Sequence, residues 1–163
     1  MERLFGAILL GLSKAFDLVN HDILLTKLSM YLTIDHTMQW FKSYLSDRSQ
    51  TCIMSEETSM SLPLVLGVPQ GSILGPLFFS IYISDLPLSI QSSDTDMYAD
   101  DTTIWSSGNM CESIQQSLQE NLNSANCWFS VNVMRPNAKK TRQILIGTSQ
   151  KLRCADKTCM NLF

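Results

Sequence analysis

A short, continuously apolar run near the amino terminus is the feature that most restricts how this chain can fold. Residues Phe5 to Leu10 carry no polar side chain, and the run stops at Gly11. An apolar run of so few residues suits a buried central strand better than a free helix. We therefore expect a core strand to open the domain.

Helical and strand patterns alternate after this run. Asn20 and Asp35 are placed to cap two amphipathic helices, and Ser72 is placed to cap a strongly apolar helix. The other patterns predict a hairpin between Gln50 and Leu66 and a second hairpin, formed by two strands and a tight turn, over Asp96 to Ser106. A long helix from Glu112 to about Val133 and a last strand from Gln143 to Ile146 follow. Strands interleaved with helices predict an α/β or α+β domain in which helices back a sheet.

Composition excludes several classes of protein. The chain has 163 residues, of which 45% are hydrophobic and 17% charged, which suits one globular domain. No apolar stretch reaches the roughly 20 residues that a membrane helix needs. A formal net charge of -3 argues against an autonomous nucleic-acid binder, because neutralising phosphates needs clustered Lys and Arg.

The termini and cysteines predict an intracellular protein, in the cytoplasm or nucleus, that is not secreted. The first residues superficially resemble a secretory signal, but they carry no net positive charge, and Lys14 interrupts the cleavage site. The five cysteines are odd in number and scattered, so we expect free thiols, mostly packed as small apolar groups. Cys154 and Cys159 are close in sequence but lack the further ligands of a zinc site.

The sharpest chemical signal is Tyr98-Ala99-Asp100-Asp101, two adjacent carboxylates at the tip of a predicted hairpin. Phosphoryl transfer by two magnesium ions needs hard oxygen ligands that hold the ions ~3.5–4 Å apart. Adjacent aspartates are also common in solvated turns, so the pair has to be judged in its context.

The second signal is Gly67-Val68-Pro69-Gln70-Gly71-Ser72, followed by Gly75-Pro76. Glycines allow a backbone to approach a ligand closely, and the helix start that follows offers free amides to phosphates or bases. A tight turn with a helix cap would explain the same residues without any ligand.

Taken in order, four motifs resemble those of reverse transcriptases from non-LTR, LINE-like retrotransposons. They are Leu12-Ser13-Lys14-Ala15-Phe16-Asp17, Gly67 to Pro76, Tyr98 to Asp101, and Asn137-Ala138-Lys139-Lys140-Thr141. The resemblance covers residues 4–147 and implies a polymerase palm, a sheet backed by helices. Residues 148–163 show no pattern, and we expect a loosely ordered tail.

The resemblance implies an RNA-directed DNA polymerase that extends a DNA primer with deoxynucleotides on an RNA template. Asp100 and Asp101 would bind Mg²⁺, and Phe16 would exclude a ribose 2′-hydroxyl. Binding to a membrane is not expected.

Five further residues take their expected roles from the resemblance. Gln70, Gly71 and Ser72 would lie against the template and the incoming nucleotide. Lys140 is similar to the lysine that helps protonate the departing pyrophosphate, with Lys139 as an equally plausible solvated neighbour.

One departure from the family pattern bears directly on activity. The family carries an aspartate at the end of the first strand, two residues before the Ser-Lys-Ala-Phe-Asp run, and this chain has Gly11 there. Asp17 matches a separate family position and does not replace it. Without a ligand that both ions share, we expect little or no polymerase activity. Pro136, where relatives carry an aliphatic residue, is expected to distort the strand that follows.

Two other classes of function remain open from the sequence. By the resemblance, we expect this sequence to lack the fingers segment that precedes the first motif in relatives, and the thumb. A truncated copy kept as a non-catalytic nucleic-acid or protein interaction module is therefore one alternative. A nucleotide cyclase, which also uses carboxylates on a hairpin, is disfavoured by the Gly67 to Ser72 motif. His21 and His36 are interpreted as ordinary surface residues.

Overall fold

The computed structural model describes residues 3–32 and 34–154. In chain order the strands are β1 (Leu4–Leu10), β2 (Ser49–Gln50), β3 (Ile53–Met54), β4 (Glu57–Thr58), β5 (Leu62–Pro63), β6 (Asp94–Tyr98), β7 (Asp101–Gly108) and β8 (Arg142–Ile146). The α-helices are α1 (His21–Tyr31), α2 (Asp35–Leu45), α3 (Leu74–Ile83), α4 (Cys111–Val131) and α5 (Ser149–Cys154). None of the helices in these described ranges is long and apolar enough to cross a membrane.

The chain divides into two compact units. We call the described part of the first, residues 3–15 and 84–154, the sheet unit, and the second, residues 16–83, the helical unit. The α+β class predicted from alternating patterns is confirmed.

The sheet unit is built on an antiparallel sheet with strand order β6-β7-β1-β8. β1 lies inside the sheet, and its Ile8 is fully buried, as the apolar run predicted. Helix α4 packs on β7 and β1 through a stripe at helical spacing that includes Ile114, Leu118 and Phe129. Burying this stripe against the sheet supplies the main hydrophobic stabilisation of the unit.

The helical unit contains α1, α2 and α3, with α1 packed against both of the others. Asn20 caps α1 as predicted, since its side chain accepts hydrogen bonds from the amides of Asp22 and Ile23. The predicted cap at Asp35 is wrong. Ile34 occupies the cap position of α2 without a side-chain hydrogen bond, and Asp35 lies in the first turn, where a negative charge favours the helix dipole.

The predicted hairpin between Gln50 and Leu66 is present, but its strands are shorter and more numerous than the pattern indicated. β2 pairs with β5, and β3 pairs with β4 around the tip. Residues 51–65 are exposed throughout, including large apolar side chains such as Ile53, Met54 and Met60. A hairpin without a buried face has no alternation to fix its register from sequence alone.

The structure also describes the cysteines, Pro136 and part of the carboxy-terminal segment. Cys111 is buried as a small apolar group would be, but Cys52 and Cys127 are exposed, so the expectation of mostly packed thiols is wrong for these two. Pro136 lies outside the strands and forms an isolated bridge with Leu12. Helix α5 occupies part of the segment in which the sequence showed no pattern. Cys159 and the tail over 155–163 lie outside the described residues.

Candidate catalytic carboxylates and the motif loop

The two adjacent aspartates lie at the tip of the hairpin formed by β6 and β7, as predicted. Tyr98 pairs with Asp101, so Ala99 and Asp100 form a two-residue turn. Ala99 has a φ of 51°, the left-handed backbone that a tight hairpin turn requires. Asp100 lies in the turn and is half-buried, and Asp101 begins β7 and is exposed, so both carboxylates lie at the tip of the hairpin.

Gly11 lies at the end of β1, next to these carboxylates in the strand register. Leu10 pairs with Thr102 on β7, and Leu9 pairs with Arg142 on β8. Extending these two pairings to position 11 places Gly11 opposite Asp101 on the β7 side and opposite Lys140 on the β8 side. Neighbouring antiparallel residues lie about 4.5–5.5 Å apart between their Cα atoms. A carboxylate at position 11 would therefore join Asp101 at the same edge, and glycine supplies none.

The space beside Gly11 is already filled by Lys140. A Cβ atom added at Gly11 would lie 2.7 Å from the Cβ and 3.2 Å from the Cδ of Lys140. The segment that carries Lys140 is tied to the strand end, because the Asn137 amide donates to the Gly11 carbonyl at 2.8 Å and the Ser13 amide donates to the Arg135 carbonyl at 2.9 Å. Lys140 itself is exposed, as is Lys139.

Within the described ranges, no group of three or more His, Cys, Asp or Glu side chains is arranged to hold a metal ion. Two magnesium ions in a phosphoryl-transfer site need several shared oxygen ligands. Asp100 and Asp101 offer two carboxylates, and the strand end beside them offers a glycine and a lysine stem. The donor set therefore does not fit a two-ion centre.

The second motif lies in the helical unit, where it is hydrogen-bonded to the end of the first motif and to Val19 just after it. The Gly67 amide donates to the Val19 carbonyl at 2.7 Å, and the Val68 amide donates to the Phe16 carbonyl at 2.9 Å. Gly67 has a φ of 87°, and a Cβ there would lie 2.9 Å from the carbonyl oxygen of Asp17. This glycine thus allows the loop to approach the chain's own backbone.

The three expected binding residues of this loop differ in their surroundings. Gln70 is exposed, and its Nε2 donates to Asp17 Oδ1 at 3.0 Å. Gly71 has a φ of 81°, and a Cβ there would meet open space. The Ser72 hydroxyl accepts from the Gly75 amide at 3.0 Å, which confirms its capping role, and donates to the Pro69 carbonyl.

Phe16 is half-buried and stacks on Phe79, with 4.6 Å between ring centroids. The interpretation of His21 as an ordinary surface residue is wrong, because its Nε2 lies 2.7 Å from the Gly67 carbonyl oxygen and the ring is half-buried. A carbonyl only accepts, so Nε2 carries the proton in this contact. His36 is exposed, as expected.

A groove of about 480 Å³ in the helical unit collects residues from distant parts of the sequence. Its polar lining includes Asp17, His21, Arg48, Gln50 and Gln70. Sequence reasoning missed Arg48 and Gln50, since polar residues before a hairpin give no local signal of a site. The predicted site residues are thus divided: Gly11, Asp100, Asp101 and Lys140 belong to the sheet unit, and Phe16, Gln70, Gly71 and Ser72 to the helical unit.

Comparison with known proteins agrees with this arrangement of motifs. The chain is 34% identical over 145 residues to the probable RNA-directed DNA polymerase from transposon BS of Drosophila melanogaster. The matched region covers 83% of this chain and 16% of that protein. It is 31% identical over 156 residues to the RNA-directed DNA polymerase from the mobile element jockey of the same species, covering 88% and 16%. The chain thus spans about a sixth of the length of these relatives.

The fold is similar to that of a solved polymerase. The structure of apo telomerase from Candida tropicalis, truncated from its C-terminal domain, superposes with a TM-score of 0.69 at 14% sequence identity, covering 88% of this chain and 31% of that one. The family described as reverse transcriptase (RNA-dependent DNA polymerase) matches residues 6–159. With residues 6–159 matched by the family and two such relatives above 30% identity, this chain belongs to the reverse transcriptase family, on the branch of the LINE-like retrotransposons.

Proposed function

We propose that this chain is the palm region of an RNA-directed DNA polymerase whose metal site is incomplete, so that it has little or no polymerase activity. Family membership supports the reaction class, which is addition of deoxynucleotides to a DNA primer on an RNA template. One observation carries the inactivity: Gly11 stands level with Asp101 at the strand end and supplies no oxygen ligand.

The remaining side chains have separate roles in this proposal. Asp100 and Asp101 hold Mg²⁺ weakly, because two adjacent carboxylates fall short of the ligands that a hard dication prefers. The Phe16 ring, fixed by stacking on Phe79, excludes a 2′-hydroxyl and selects deoxynucleotides. Lys140 is the proton donor toward the departing pyrophosphate, with Lys139 as its alternative.

Asp17 does not compensate for Gly11 in this proposal. Its carboxylate lies in the helical unit and accepts a hydrogen bond from Gln70. A side chain at position 11 has to displace Lys140, so the test of a restored carboxylate needs a control variant with the same crowding at this position.

The test is primer extension on an RNA template with magnesium, comparing the unaltered chain with Gly11→Asp and Gly11→Asn. Asparagine crowds Lys140 as much as aspartate does but carries no charge, so the two variants differ mainly in the carboxylate. Gly11→Asp combined with Asp101→Ala is a second control. We expect extension by Gly11→Asp alone, and extension by the unaltered chain would refute the proposal.

Magnesium-dependent stability gives a second readout if no variant extends the primer. A site that binds the ion only when folded gains about 1.4 kcal/mol at tenfold excess over Kd, which raises Tm by about 3–6 °C for a chain of this size. A rise in Gly11→Asp but not in Gly11→Asn would support the incomplete metal site. An equal response in both variants would contradict it.

A second candidate function is a non-catalytic nucleic-acid or protein interaction module. The observation that favours it is the exposed apolar surface of the hairpin, where Ile53, Met54 and Met60 are 75%, 80% and 85% exposed. Contiguous exposed apolar side chains are typical of interaction surfaces. RNA binding that persists when Asp100 and Asp101 are both replaced by alanine, without extension by Gly11→Asp, would favour this function.

A further inference from the structure

The hydrogen bond between Gln70 and Asp17 determines which end of the Gln70 amide is available for a ligand. Gln70 Nε2 lies 3.0 Å from Asp17 Oδ1. An ionised carboxylate only accepts hydrogen bonds, so the amino end of the amide has to face Asp17. The carbonyl oxygen, Oε1, is consequently turned away from Asp17. Among the described residues, Gln70 makes no other side-chain hydrogen bond.

The distance between these two side chains is set by the backbone. The segment containing Asp17 and the loop containing Gln70 are joined by the Gly67-to-Val19 and Val68-to-Phe16 hydrogen bonds, of 2.7 and 2.9 Å. The His21 ring adds a third link, through the Gly67 carbonyl at 2.7 Å. These links hold the two backbone segments next to each other, which keeps the exposed side chains of Asp17 and Gln70 within reach of each other.

Both residues line the groove of the helical unit, which also has a held cation. The Arg48 Nε donates to the Tyr44 carbonyl at 2.6 Å, and the guanidinium lies 4.4 Å from the centre of the Tyr44 ring. Its terminal nitrogens remain for an anion such as a phosphate. The groove of about 480 Å³, whose lining also includes the apolar residues Leu64, Leu66 and Pro69, has room for one nucleotide unit.

We propose that Asp17 is a positioning residue that turns the carbonyl oxygen of Gln70 toward the groove, so that the groove selects a nucleic-acid unit presenting a hydrogen-bond donor. Base amino groups and ribose hydroxyls are such donors. This inference rests on the proposed function in one respect, namely that the ligand is a nucleic acid. The orientation of the amide is a property of the free chain.

The orientation is tested directly by NMR of the ¹⁵N-labelled full chain. The Gln70 side-chain amide is assigned by its loss in Gln70→Glu. We expect one of its two protons to have the shift of a hydrogen-bonded amide, and Asp17→Ala to move that proton to the position of free side-chain amides. Identical Gln70 signals in the unaltered chain and in Asp17→Ala would overturn the inference.

The consequence for binding is tested with a fluorescent single-stranded RNA oligonucleotide at constant salt. Asp17→Lys removes one negative charge and adds one positive charge, so nonspecific electrostatics alone would tighten RNA binding. A lysine also donates where the aspartate accepted, which turns the Gln70 amino group toward the groove. We therefore expect affinity to fall about tenfold, the usual effect of a mismatched hydrogen bond.

Two further variants separate orientation from charge and from folding. In Asp17→Lys combined with Gln70→Glu, one carboxylate oxygen binds the lysine and the other faces the groove, so affinity should recover. Glu57→Lys makes the same charge change at an exposed hairpin residue outside the groove, and it should leave RNA affinity equal or tighter.

The outcomes distinguish this inference from the proposed function. Tighter binding by Asp17→Lys, or no recovery in the double variant, would overturn the role of the amide in the groove. A different outcome is that NMR shows the oriented amide but the unaltered chain does not bind RNA. In that case the nucleic-acid ligand is refuted, together with RNA-template binding in the proposed function, and the positioning role of Asp17 stands.

Discussion

Replacing Gly11 with alanine adds one methyl group at the end of β1, and we expect it to destabilise the protein. The new Cβ would lie 2.7 Å from the Lys140 Cβ, whereas ordinary contacts begin at 3.4 Å, so the lysine backbone segment has to move by about 0.7 Å. Backbone hydrogen bonds from Asn137 and Ser13 resist that movement. Glycine outside the left-handed region would otherwise gain about 0.4–1 kcal/mol when replaced by alanine.

The expected net effect follows from these opposing contributions. Overpacking a filled site costs about 2 kcal/mol at the centre of its usual range, and the less flexible unfolded chain returns about 0.7 kcal/mol, which leaves a loss of about 1.3 kcal/mol. For a chain of this length the corresponding fall in Tm is about 3–5 °C. Urea and thermal unfolding followed by circular dichroism measure both quantities.

Two controls identify the contact responsible. Gly108→Ala places a Cβ 3.2 Å from Ile114 Cγ1, so the neighbour has to shift by only about 0.2 Å to reach an ordinary contact, and we expect a smaller loss. Lys140→Gly removes the opposing Cβ, and in a double-mutant cycle with Gly11→Ala it should recover at least 0.5 kcal/mol, the low end for residues in contact. An unaltered or higher stability of Gly11→Ala would refute the proposed crowding at this strand end.

Two further predictions concern the hairpin that carries the aspartates. The side chain of Asn121 is buried, and its Oδ1 accepts hydrogen bonds from the amides of Gln91 and Ser92 just before β6. Asn121→Ala should therefore lower the free energy of unfolding, measured in urea, by about 2–4 kcal/mol. A loss below about 0.5 kcal/mol would contradict this prediction. Ala99→Gly should raise Tm by a few degrees. Glycine relieves about 1–2 kcal/mol of strain from the left-handed backbone at Ala99, which exceeds its entropic cost of about 0.5–1 kcal/mol. A lower Tm would show that the turn is not strained.

The local elements of the fold could be predicted from sequence because their signals are local. The Asn20 cap depends on amides two and three residues away, and the Asp100-Asp101 turn depends on its flanking strands. The stripe on α4 repeats at helical spacing, so it indicated both the helix and its buried face. Each of these patterns lies within one element and needs no knowledge of the rest of the chain.

The expectations that failed depended on distant partners. His21 was interpreted as a surface residue because its partner, the Gly67 carbonyl, is 46 residues away. Arg48 and Gln50 were not singled out because their groove is completed only by the loop ending at Gln70. The Asp35 cap failed for a different reason: a good capping residue can also occupy the first turn, and sequence does not separate these neighbouring positions.

The sequence by itself determined the family motifs, the adjacent aspartates and the lack of a carboxylate at Gly11, because these are matters of residue identity and order. Only the tertiary structure decided that Gly11 lies level with Asp101, that Lys140 fills the space beside it, and that Gly67 serves a close approach to the chain's own backbone. The physical reason is that strand register and packing arise from contacts between residues far apart in sequence, which no local pattern encodes.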